Sequence, residues 1–265
     1  MRLESVDQRL RELADDLARY RLRLDASLAV RYKTFEKTVL GVILYDKRHD
    51  QQASFSRLKD LKAPKPEEKD LLVRSFQQAG LLDSRMSDRI DQHFEAAKEV
   101  VTRLARGESA IRIEDIAILP LIPRTRSMIE AARELERGRE DLFAPLRRFE
   151  STVSAFFVNK RVSVEDSGAL LVAVWPEGRR LPVENLSSGE KQLLILLTQA
   201  LLREDEPVVY VADEPELSLH VSWQENLLLS LRQIASQSQI IVATHSPDIV
   251  GTFRDRVIDL APRPV

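Results

Sequence analysis

The 265-residue chain contains no cysteine. That excludes a disulfide scaffold, a thiolate metal site and a cysteine nucleophile, and it fits a reducing compartment, so a cytoplasmic location is expected. Glycine is scarce at 8 residues, fewer than the turns of a sheet-rich fold would need. Net charge is almost nil: 40 Lys and Arg against 42 Asp and Glu leave −2. No global attraction to nucleic acid follows, so any contact with DNA has to come from a local basic patch. Long apolar runs are missing as well. None approaches the ~20 residues that cross a bilayer, and residues 1–25 are too charged for a signal peptide. A soluble protein with no membrane partner is expected.

What the chain does have is apolar content and charge in helical rhythm. Hydrophobic residues make up 43%, enough for a sizeable core, and charged residues 31%. The charged share exceeds the usual quarter or so and points to long solvated helices. Leu3, Val6, Leu10, Leu13, Leu17, Tyr20 and Leu24 alternate by three and four among Arg, Glu and Asp. Such a seam suits a coiled-coil arm or helical hairpin, and equally one helix packed on its neighbours. A brief apolar run follows at 38–44, then a linker at 60–68 (DLKAPKPEE) that ends in a helix start. Helical spacing resumes at Leu71, Leu72, Phe76 and Leu81, with a stop near Gly80. It recurs at Ile90, Phe94, Ala97, Val101 and Leu104, ending near Gly107. Pro120 and Pro123 are expected to break the chain before another charged helix through Met128, Ala132, Leu135, Leu142, Leu146 and Phe149. This half holds no catalytic constellation and no internal repeat.

The character changes after Phe149. Residues 158–164 and 169–175 read as strands joined by a polar turn, EDSG. A helix from Glu190 to about Leu202, a strand at 208–212, a helix near 218–235, a strand at 239–243 and a last strand near 256–260 follow. Alternation of this kind predicts an α/β fold with a parallel sheet, its apolar strands covered on both faces. The expected domains are a helical arm at 1–148 and an α/β lobe at 149–265.

Three clusters in the α/β lobe carry chemistry. Leu186-Ser187-Ser188-Gly189-Glu190-Lys191-Gln192 opens a helix with small residues. Free N–H groups and the helix dipole there suit a phosphate, although the same pattern also serves as a plain N-cap. Next, the strand at 208–212 runs into Asp213-Glu214-Pro215. Carboxylates at the C-terminal edge of an α/β sheet lie where such sheets bind ligands: Asp213 is placed for Mg²⁺ and Glu214 to act as general base. An acidic turn after a strand is the plainer alternative. Finally, the run 240–247 (IIVATHSP) ends a second apolar strand in His245. That histidine is either a surface residue or a sensor within reach of a γ-phosphate.

In this order the clusters resemble the C-terminal lobe of the ABC-type ATPases, a P-loop NTPase fold. LSSGEKQ looks like their signature motif, YVADEP like Walker B, residues 216–220 like the D-loop and THSP like the switch histidine. The phrasing is most similar to the overcoming-lysogenization-defect, Septu and retron-associated ATPases of anti-phage defence, and lies near the SMC-like ATPases of DNA repair. The resemblance implies ATP and Mg²⁺ as cofactors, with Ser187, Ser188, Gly189 and Glu190 at the nucleotide of an opposite subunit. It further implies Asp213 at the metal, Glu214 as base and His245 at the γ-phosphate. A homodimer in the presence of ATP, a nuclease partner and DNA are the partners it suggests. Ser188 stands where transporter members have Gly, and His220 where their D-loop has Asp.

One family element has no counterpart. Nothing reads G-x-x-x-x-G-K-S/T, and Gly41, Gly80 and Gly107 lack the second glycine and lysine. The expectation is a fragment or split subunit, completed by a Walker A-containing lobe on the same or another chain, and binding ATP poorly by itself. The leading reading is therefore an ATP-hydrolysing dimeric switch in a DNA-directed complex. A DNA-repair ATPase and a non-catalytic interaction module are the alternatives. A transporter ATPase would not need the long charged helical segment, and no further acid–histidine cluster supports a nuclease within the chain itself.

Overall fold

The structure, a computed structural model, describes residues 6–44, 62–106 and 112–260. These fall into two compact units, one of residues 1–25 and 143–265, the other of residues 26–142. The first 25 residues thus group with the C-terminal part of the chain. Gly107, Leu3 and residues 60–61 of the expected linker lie outside the described residues. Among the described residues no helix is long and apolar enough to cross a membrane.

The second unit is helical. It takes the C-terminal part of α1 (Val6–Ile43), then α2 (Pro66–Gln78), α3 (Ser84–Ala105), α4 (Ile113–Ile118) and most of α5 (Leu121–Phe156). Proline starts α2, where its missing N–H would have had no acceptor, and Glu68 accepts from Lys65 N at 2.9 Å. The helix stops before Gly80, whose φ of 72° is in the left-handed region. The side chain of Asp83 caps α3 by accepting from Met86 N. Pro123 does not break the chain: it lies in the first turn of α5, where backbone donors need no partner. Phe35 and Val39 of α1 pack with Leu72, Phe76, Ile90, Phe94, Ile129, Ala132 and Leu135 into one core. Of the expected helical faces, Leu72, Phe76, Ile90, Phe94, Ala132 and Leu135 lie in this core, Ala97 and Val101 pack in a second cluster, and Leu81 is exposed.

In the first unit, Leu13, Leu17, Tyr20 and Leu24 of α1 are buried, whereas Val6 is exposed. The three-four seam is consumed by packing here. Gly168 (φ 81°) lets the turn before β2 approach α1 so closely that a Cβ would lie 2.4 Å from Ala18 Cα. Strands β1 (Lys160–Val164), β2 (Leu170–Val174) and β3 (Arg179–Leu181) form an antiparallel sheet, with Val162 opposite Val172 and Val172 opposite Leu181. Next come α6 (Ser188–Leu202), β4 (Val209–Asp213), α7 (Val221–Ile234), β5 (Gln239–Ala243) and the short α8 (Pro247–Val250). β4 and β5 pair in parallel, from Val209 with Gln239 to Asp213 with Ala243.

Three expectations need correcting. The parallel sheet among the described residues has two strands, and the other three strands form a separate antiparallel sheet. Its strands are not covered on both faces. Successive residues point to opposite sides, and Val209 (56% exposed), Val211 (76%) and Ile241 (47%) all lie on an open face. The opposite face is tied inward, with Tyr210 donating its hydroxyl proton to Gln199 O of α6. Finally, residues 256–260 form no strand. A 3₁₀ segment (Gly251–Arg256) leads into residues without regular structure, and Val257, Ile258 and Leu260 are exposed. An apolar run becomes a strand only where a neighbour completes its ladder.

Candidate functional site

α6 begins at Ser187, whose hydroxyl oxygen accepts from Glu190 N at 3.3 Å while Glu190 accepts from Ser187 N at 2.9 Å. The plain N-cap is therefore real, in its reciprocal capping-box form. It does not exhaust the loop. Ser187 uses its oxygen and keeps its hydroxyl proton to donate, and the first-turn N–H groups of exposed Ser188 and buried Gly189 have no intrahelical acceptor. Glu190 itself is buried and takes a further bond, 2.5 Å long, from Lys160 of β1. Burial alone would raise its pKa, but the bonds from Lys160 and Ser187 outweigh that and hold it below the ordinary carboxylate value. Glu190 is thus engaged in holding the loop. Lys191 reaches Asp7 of α1 at 2.8 Å.

The requirement for glycine at 189 is steric. A Cβ there would lie 2.5 Å from the carbonyl oxygen of Ser218, in the loop between β4 and α7. That loop starts from strain. Glu214 has φ 45° and Ser218 φ 70°, left-handed values uncommon outside glycine and costly for a side chain. Glu214 N donates to Ala243 O at 2.8 Å, extending the β4–β5 ladder by one bond before the chain turns. Strain of this kind persists only where the surrounding structure holds it, and it clusters at functional sites, which makes Glu214 a candidate.

Glu214 and His245 come together: the carboxylate stands 3.6 Å from His245 Nε2. The His245 side chain is 93% exposed and that of Glu214 38% exposed. Asp213 ends β4 as an exposed residue on the same edge. His220 caps α7, its ring Nδ1 accepting from Ser222 N. Among the described residues no three His, Asp or Glu side chains gather as a metal cage. A lone carboxylate such as Asp213 still fits Mg²⁺, which keeps several waters and is commonly held by one or two carboxylates together with phosphate oxygens.

Sequence reasoning missed two groups of residues. Lys160 carries no motif, and only its place at the start of β1 brings it to Glu190. The second group ties the loop after β5 to the loop after β4 and to α7. Thr244 donates its hydroxyl proton to Glu216, and Ser246 donates to Gln224 Oε1 at 2.7 Å. The polar residues flanking His245 were visible in the sequence, but their partners were not.

Comparison with known proteins adds relatives. Residues 3–251 match the family model described as "AAA domain, putative AbiEii toxin, Type IV TA system". The UvrABC system protein A of Halalkalibacterium halodurans is 35% identical over 82 residues, covering 31% of this chain and 8% of that protein. The Retron Ec83 probable ATPase of Escherichia coli is 35% identical over 84 residues, covering 28% and 16%. The chain thus spans a small part of either relative's length. A solved Smc head domain with an extended coiled coil from Pyrococcus furiosus aligns over 91% of this chain and 51% of its own, with 18% identity and a TM-score of 0.34.

Proposed function

We propose, for a chain that belongs to this AAA-domain, AbiEii-type family, that it is the C-terminal part of an ATP-hydrolysing switch of the ABC type. Hydrolysis takes place once a Walker A-containing lobe, on the same or another chain, supplies the cradle for the α- and β-phosphates. Two such assemblies close on ATP as a dimer, because a signature loop serves the nucleotide held by the opposite subunit. The setting we favour is a DNA-directed complex of anti-phage defence; the retron ATPase among the relatives supports this choice. A repair ATPase is the second reading, supported by the similarity to the UvrABC system protein A.

The observation that carries the reading is the Glu214–His245 pair at the C-terminal edge of two parallel strands, with Glu214 held in a strained conformation. Glu214 takes a proton from the attacking water. His245, 3.6 Å from that carboxylate, donates to the γ-phosphate. Ser187 and the free N–H groups of Ser188 and Gly189 donate to phosphate oxygens at the positive end of α6. Mg²⁺ beside Asp213 would neutralise charge on the transferring group. The closed α6 cap keeps these donors fixed before the nucleotide arrives, so little reorganisation is needed in the transition state.

The test is Mg²⁺-dependent ATP hydrolysis by the chain alone and with its Walker A-containing lobe, for wild type and Glu214→Gln. The expected result is an inert isolated chain and turnover by the completed assembly, which Glu214→Gln lowers by about 10²-fold or more. Micromolar ATP affinity of the chain alone would sink the split-lobe reading. A completed assembly that never hydrolyses ATP would leave the interaction-module alternative.

A further inference from the structure

His245 cannot hold its own position. Its ring is almost wholly in solvent, and its sole recorded side-chain partner among the described residues is Glu214 at 3.6 Å, beyond hydrogen-bond length. Yet both residues beside it are fastened. Thr244 donates its hydroxyl proton to Glu216 and accepts Ser246 N at 3.0 Å. Ser246 donates to Gln224, and Gln224 donates in turn to Leu219 O at 3.0 Å. Ser246 also caps α8, accepting from the N–H groups of Asp248 and Ile249. The Thr244 bond therefore ties the loop after β5 to the segment between β4 and α7, and the Ser246 bond ties it to Gln224 of α7, which in turn holds Leu219 of that segment.

That segment is the one that carries Glu214. Glu216 follows it by two residues, and Leu217 N returns to Glu214 O at 3.1 Å. The second carboxylate oxygen of Glu216, Oε2, is buried and accepts nothing among the described residues. A buried, half-used acceptor costs stability. The observed use of this carboxylate is its hold on Thr244.

The geometry points to Glu216 as a positioning residue: through Thr244, with Gln224–Ser246 as the second tie, it fixes His245 in register with Glu214. This rests on the ATPase reading for its purpose, though not for its geometry. The pair is aligned by neighbours in both loops and not by contacts of the imidazole itself. His245 stays free to meet a phosphate while its backbone cannot drift.

The test follows the ring signals of His245 by NMR in the full chain labelled at histidine. In wild type, Glu214→Gln should shift the His245 signal, because the neighbouring charge is removed. In a Glu216→Ala background the same replacement should leave that signal unmoved. In a Glu216→Gln background, whose amide oxygen still accepts the Thr244 proton, the shift should return. The His93 signal and the unfolding midpoint confirm that each variant is folded. If Glu216→Ala fails to fold, Thr244→Val breaks the same bond from the other side. A full-sized shift in the Glu216→Ala background, or no recovery in the Glu216→Gln background, overturns the proposal. In the completed ATPase, Glu216→Ala should lower kcat about tenfold with KM unchanged; an unchanged kcat together with a lost shift overturns the link to catalysis. The NMR coupling needs no nucleotide, so its failure is distinct from a failure of wild type to hydrolyse ATP.

Discussion

Gly189 and Glu214 illustrate two opposite demands on a single position. At Gly189 a methyl group would be driven into Ser218 O, so Gly189→Ala should destabilise the fold by about 1–3 kcal/mol through overpacking. Urea unfolding of the two proteins measures this directly, with no nucleotide present. Glu214 has the reverse problem, a side chain on a left-handed backbone. Glu214→Gly removes that penalty and should leave stability equal or raise it by about 1 kcal/mol, while abolishing hydrolysis in the completed assembly. A stabilised, inactive variant would mark the strain as maintained for chemistry. A destabilised Glu214→Gly variant would show that the carboxylate also has a structural use.

Among the elements, α6 is the one whose entry the site depends on. Ser187→Ala removes the cap acceptor and should cost about 1 kcal/mol in thermal or urea unfolding. The folded-state pKa of Glu190 is depressed, so its contribution is present above the ordinary carboxylate pKa and is lost as pH falls through the folded value. The stability gap between wild type and Glu190→Gln should therefore be widest near neutral pH and close on acidification, which pH-dependent melting curves would show. These features were partly legible. The Ser-x-x-Glu spacing announced the capping box, and the apolar run at 239–243 coincides with β5. Nothing local announced β3, whose Arg179-Arg180-Leu181 has no alternation to detect. Nor did anything announce Lys160 as the partner of Glu190, because that pairing depends on the packing of two elements distant in sequence.

For the molecule as a whole, the balance of buried charge sets the pH response. In the helical unit Asp115 is buried against Arg103 and its pKa is lowered: burial opposes this, but hydrogen bonds from the Arg112 N–H and Arg103 prevail. Glu204 goes the other way. Burial raises its pKa, with Asp205 adding to the rise, although the hydroxyl of Tyr20 donates to it. A raised carboxyl is costly while ionised and harmless once protonated. Glu204→Gln should therefore be more stable than wild type near neutral pH, and the advantage should shrink as pH falls through the raised pKa. Calorimetry at several pH values decides it. At this scale periodicity announced helices up to Phe149 and the alternation of strands and helices after Ser187, but not that the first 25 residues group with the C-terminal part. The sequence was misleading about the sheet. Val209, Val211 and Ile241 are as apolar as core residues, but burial depends on what lies against a strand and not on the strand's own composition.

The open face of β4 and β5 has a practical consequence for anyone handling the chain in solution. An exposed apolar sheet face invites association with further copies. The isolated chain should therefore show concentration-dependent self-association, with a hydrodynamic radius that grows in light scattering as the sample is concentrated. One charge set into that face by Val211→Lys should suppress the growth while leaving the melting temperature nearly unchanged, because Val211 is 76% exposed already.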